Sequence, residues 1–187
     1  MDMLFAGILL WSAVHYIPSL MPALKVTLVE KLGNGYRGVF ALLIVASIVL
    51  MVFGWQRATP TPVYDPLPDA VQITSVLMII SFYLLGAAHG PSNVKRYIRH
   101  PMLTGVIVWG IAHLIANGDS RSLLLFGGMM IWAVVEILAI NKRDGAYVAP
   151  GAVPMKKDII KFVAALVLYT VVVFLHPYFT GVPVMAS

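Results

Sequence analysis

Between Pro101 and Gly118 the chain runs sixteen residues, MLTGVIVWGIAHLIAN, without one charged side chain. Five further stretches, near 3–21, 38–55, 70–88, 122–140 and 159–176, are comparably apolar. A helix rises about 1.5 Å per residue, so about twenty apolar residues cross the ~30 Å hydrocarbon core of a bilayer. No water reaches the backbone there, and a helix satisfies every N–H and C=O within its own segment. The sequence therefore predicts an all-α fold: a polytopic membrane bundle of about six transmembrane helices, one domain over residues 1–187. Composition points the same way. Charged residues make up 11% of the chain, against roughly 25% in soluble domains. Apolar residues reach 60%, more than a core of this size buries, so the lipid bilayer is the first partner the sequence implies.

The polar residues then assign the sides. Lys25, Lys31 and Arg37 fall in the first connection, Lys95, Arg96 and Arg99 in the third, and Lys142, Arg143, Lys156, Lys157 and Lys161 in or just beyond the fifth. The other side holds only Arg57 and Arg121, together with Asp2, Asp65, Asp69 and Asp119. Basic loops stay in the cytoplasm, so the expected topology has both termini outside, in a bacterial inner membrane. The net charge of +5 is then a topology signal and an attraction to anionic lipid, not a nucleic-acid surface. Asp2 stands where a cleavable leader would be basic, so the first apolar segment is expected to remain as a helix.

The chain has no cysteine, which excludes disulfides, thiolate metal sites and covalent haem attachment. Polar side chains at membrane depth are expensive and read as functional. His15, His113 and Glu136 lie inside spans, and His89, His100 and His176 lie near span ends. WSAVH (11–15) and WGIAH (109–113) both place a Trp one helical turn before a His, on one face. Counted from opposite span ends, His15 and His113 come within roughly 5 Å of the same depth. Two imidazoles from antiparallel helices, walled by Trp11 and Trp109, suit a flat cofactor such as haem. The alternative is that each histidine bonds to a carbonyl or hydroxyl of the bundle. Glu136 suits a partner to a ligating histidine, a proton acceptor or a neutral hydrogen-bonded carboxyl. His89, His100 and His176 read as structural, since side chains at span ends reach water.

RHPMLTGVIVWGIAHLIANGD (99–119), HYIPSLMPAL (15–24), LGNGYRGVFALL (32–43) and HPYFTGVPV (176–184) together resemble the NnrU family of bacterial membrane proteins. That family is similar to the plant zeta-carotene isomerase, which shares the RHP-to-WxxAH helix. The resemblance implies a six-helix protein holding haem b between histidines that match His15 and His113. It implies either isomerisation of an apolar polyene or an accessory role in nitrite and nitric oxide metabolism, that is, in denitrification. The isomerase carries a cysteine in its W-C-x-A-H segment, where this chain has Gly110. A non-enzymatic assembly protein is a third reading. A fourth is an enzyme of the isoprenylcysteine-methyltransferase type, weakened because 141–154 keeps little of that pattern beyond Gly145 and Tyr147.

Overall fold

The structure, a computed structural model, describes residues 1–184. Prolines and glycines set most of the breaks. Helix α1 (Asp2–Leu20) stops ahead of Pro22, which opens the short α2 (Pro22–Leu32). Proline suits a first helical turn because its missing N–H would have no partner there. Gly33, at φ +52°, turns the chain into α3 (Gly35–Arg57). The proline-rich segment 58–69 follows, and α4 (Ala70–Ala88) begins after Asp69. Helix α5 (Pro101–Ala116) again opens on a proline. Helix α6 (Ser120–Asp144) contains a π-helical turn at Leu123–Gly127. Helix α7 (Met155–Thr180) ends at a left-handed Gly181.

Two hairpin-like pairs, α1 with α3 and α4 with α5, make the tightest packing. Helix α6 joins them by touching both α1 and α5, and α7 lies along α4. The core gathers at that junction: Leu103, Met129, Trp132 and Ala133, with Trp11, Tyr16, Met51 and Trp109 packed around them. The opposite faces carry apolar side chains outward, such as Leu42, Ile131 and Phe174, the last 73% exposed. Apolar faces this extensive suit contact with acyl chains rather than water. Among the described residues, five helices are long and apolar enough to cross a membrane. This is a helical membrane bundle, as the sequence predicts.

Two details differ from the expectation. The fourth apolar stretch forms a helix of only 16 residues, about 24 Å long, shorter than a full span. Residues 22–32, read as a connection, form α2, none of whose residues is buried. Its sequence PALKVTLVEKL mixes Leu and Val with Lys25, Glu30 and Lys31, a pattern suited to the headgroup boundary.

Each end of the bundle is closed by polar contacts. At one end the 58–69 segment is fastened over α5 and α6. Val63 and Tyr64 donate backbone N–H groups to Gly118 O at 2.7 and 3.1 Å, and Pro62 bridges to Asp119. The Tyr64 hydroxyl donates to Leu114 O at 2.5 Å and Asn117 O at 3.0 Å. Partial burial, with Asp119 nearby, holds its phenolic proton above the usual tyrosine range, so it stays a donor. At the other end Asp158, 5% exposed, accepts from Ser92 Oγ (2.5 Å), Asn93 Nδ2 (2.6 Å) and Asn93 N (3.2 Å). The Asn93 amide also exchanges bonds with Val153. This clasp fastens the α4–α5 connection to the start of α7.

Candidate functional site

The two Trp-x-x-x-His units fold alike. Helical geometry places each histidine one turn beyond its tryptophan, and each ring bonds back to that turn. His15 Nδ1 lies 2.9 Å from Trp11 O, and His113 Nδ1 lies 2.9 Å from Trp109 O. A carbonyl only accepts, so Nδ1 carries the proton in both and Nε2 holds a free lone pair. That is the state in which imidazole binds a metal, with the ring already oriented by its backbone bond.

The surroundings of the two rings are separate. His15 packs against Trp11 (4.3 Å between ring centroids), Trp132 (5.0 Å) and Phe40 (5.7 Å). His113 packs against Phe126 (4.3 Å, nearly parallel) and Trp109 (5.1 Å). Phe126 and Trp132 both belong to α6, six residues apart, so the two imidazoles pack against different turns of that helix. His113 stands three residues before the last residue of α5, Ala116.

What His113 does face is His176. Their ring centroids are 6.4 Å apart and their planes differ by 26°. His176 stands in the last turn and a half of α7, and its Nδ1 donates to Val182 O at 2.8 Å, with Thr180 Oγ1 at 3.1 Å. Its Nε2 is thus also left with a lone pair. From the sequence alone His176 reads as structural, because nothing along the chain says that α7 returns beside the C-terminal end of α5. The signal that was available is positional: His113 and His176 each sit within about a turn of the end of helices running the same way.

The π-helical turn completes this side. A wide turn of this kind often marks a functional site. Here it includes Phe126, whose ring lies against His113, Trp109 (4.8 Å) and Trp55 (5.8 Å). Arg121 stands over the Trp55 ring at 4.2 Å, and Trp55 Nε1 donates to Thr180 O at 3.3 Å. Gly110 lies on the neighbouring face of α5: a Cβ there would sit 2.3 Å from Met130 Cγ and 3.1 Å from Phe126 O. A side chain at this position requires the Met130 side chain to move.

The remaining polar residues are tied into the bundle. Glu136, 7% exposed, accepts from Ser19 Oγ at 2.8 Å. His100 Nε2 pairs with Asn141 Oδ1 at 2.9 Å, so it contacts a neighbouring helix rather than capping α5 with its ring. His89 is exposed and contributes its carbonyl to Lys161. The indole N–H groups of Trp11 and Trp132, both buried, meet no acceptor among the described residues. No cluster of three or more His, Asp or Glu side chains forms among those residues.

No curated protein and no solved structure matches the chain. The family described as NnrU protein matches residues 3–184, which covers both Trp-x-x-x-His units, the RHPM start of α5 and His176. A helical membrane bundle with that nearly full-length match belongs to the NnrU family.

Proposed function

We propose that this NnrU-family protein binds haem b within the membrane, with His113 as an axial ligand, and uses it for electron transfer or sensing. The observation that carries the reading is the state of His113: held by the Trp109 carbonyl through Nδ1, packed on Phe126, and left with Nε2 unbonded. The donor set suits haem iron, for which neutral imidazole is a common ligand. Bound there, haem would supply one-electron chemistry. The chain's own part is to orient the imidazole and to keep its surroundings apolar.

Of the roles the family resemblance carries, the accessory role in nitrite and nitric oxide metabolism is preferred to polyene isomerisation, and a bacterial inner membrane is its setting. An isomerase needs space for its substrate. The apolar slot near His15, between Val14, Leu28, Leu32, Phe40 and Leu43, holds ≈ 130 Å³. Small-molecule sites are usually ~300 Å³ or more. The chain also has Gly110 where the isomerase carries its cysteine. Redox or sensing chemistry asks for no organic substrate, so the bundle has only the haem itself to admit.

The test is the absorption spectrum of protein purified from membranes after expression with ample haem. A Soret band is expected, and it should be lost or strongly weakened in His113→Ala. Protein that folds but shows no Soret band sinks the reading.

A further inference from the structure

Helix α2 has no buried residue, yet it does not stand free. It lies back on α1 and α3, with Leu28 and Leu32 at the apolar slot beside Val14 and Phe40. Its other side borders a groove of ≈ 510 Å³, whose far wall is Pro18 and Arg143. That wall has a cause in the sequence. Pro22 has no N–H to give to Pro18 O, the bond a continuing helix would make. Arg143 Nη1 donates to that carbonyl instead, at 2.8 Å, while its Nε and Nη2 donate to Asp144 at 2.7 and 3.2 Å. The last turns of α1 and α6 are thereby held together, and α2 closes the third side.

The face of α2 toward this groove carries Pro22, Lys25, Val26, Val29 and Glu30, at helical spacing and within an arc of about 140°. Lys25 and Glu30 form its two borders, and Val26 and Val29 lie between them. Both charged side chains are exposed, and among the described residues neither has an ion-pair partner. Arg143 is offset by Asp144. The groove therefore offers a ligand one cation and one anion, with apolar ground between. We propose that its occupant is a phospholipid of the surrounding bilayer whose headgroup bears both a phosphate and a primary amine, of the phosphatidylethanolamine type. Lys25 meets the phosphate, Glu30 meets the ammonium, and Val26 and Val29 meet the glycerol and the first methylenes. An acidic headgroup without an amine would leave Glu30 facing negative charge. The volume falls within the ~300–1,000 Å³ of small-molecule sites. The groove involves none of the histidines, so its occupancy is independent of haem.

Native mass spectrometry of the purified protein in detergent tests this, with equimolar phosphatidylethanolamine and phosphatidylglycerol of matched acyl chains added together. Wild type is expected to retain phosphatidylethanolamine in preference. Glu30→Gln should reduce that preference by roughly threefold, the scale of one exposed ion pair. Lys25→Ala should weaken retention of both lipids, whereas Lys157→Ala, an exposed lysine outside the groove, should leave both unchanged. All these positions are exposed and both replacement types are good helix formers, so the fold is kept. A wild type without the preference, or a preference that Glu30→Gln leaves intact, overturns the assignment. Equal losses in Lys25→Ala and Lys157→Ala overturn it too, since they would mean only diffuse attraction between basic loops and lipid.

Discussion

Gly110 and Met130 show how a single missing side chain shapes the site. The Met130 thioether occupies the volume that a Cβ on Gly110 would fill, and both lie beside Phe126. Gly110→Cys should therefore overpack the α5–α6 contact and lower stability by about 1–3 kcal/mol. Combining it with Met130→Ala should recover part of that loss. Thermal unfolding in detergent measures both, and equal losses in the single and double variants would contradict the packing argument. Glu136 is a second residue-scale case. Its carboxyl accepts from Ser19 at 2.8 Å, whose hydroxyl otherwise reaches only His15 O and Tyr16 O at 3.4 Å, so Glu136→Gln should unfold close to wild type, while Glu136→Leu should lose about 1 kcal/mol with the shorter bond. A Gln variant as unstable as the Leu variant would mean that the charge, not the bond, is what matters. His113 was legible from the sequence because a polar residue in an uncharged run stands out. His176 was not, because only the packing of α7 brings it near.

At the scale of elements, the Asp158 clasp carries the largest expectation. Three bonds from Ser92 and Asn93 converge on one buried carboxylate. Removing a partner from a buried hydrogen-bonded charge strands the rest. Asp158→Ala should free the 89–100 connection and expose it to protease, whereas Asp158→Asn should protect it in part. Limited proteolysis of the purified protein reports the difference, and equal protection of Asp158→Ala and wild type would show the clasp to be dispensable. The sequence made the long helices plain, since each needs only an apolar run bounded by Pro, Gly or charge. It hid α2, whose polar and apolar residues alternate too irregularly to separate from a loop. It hid the π-helical turn entirely: LLLFG has no composition that distinguishes it from the α-helix on either side.

For the whole molecule, the predicted orientation is open to a direct measurement, helped by the absence of native cysteine. Leu67, 55% exposed, lies in the segment expected outside, and Val148, 87% exposed, lies in a connection expected in the cytoplasm. In intact spheroplasts a membrane-impermeant maleimide should label Leu67→Cys. Val148→Cys should react only after permeabilisation. The reverse pattern would invert the topology and put the His113–His176 side toward the cytoplasm. Bundle and membrane setting were readable because apolar length alone decides them. Which helix touches which was not, since lipid-facing and buried faces are almost equally apolar here, and so periodicity gives no direction to either.

The wide turn in α6 constrains the gene as well as the protein. It holds an extra residue between two anchored ends: Asp119 and Ser120, fastened to the 61–64 segment, and Trp132 and Glu136, fitted against α1. Deleting one codon within 123–127 would let the helix wind regularly and rotate one end against the other by about 100°. Only one of the two anchorages would then stay in phase. Length in this short interval should tolerate change far less than its undistinguished leucines suggest, and a substitution there should be milder than a deletion.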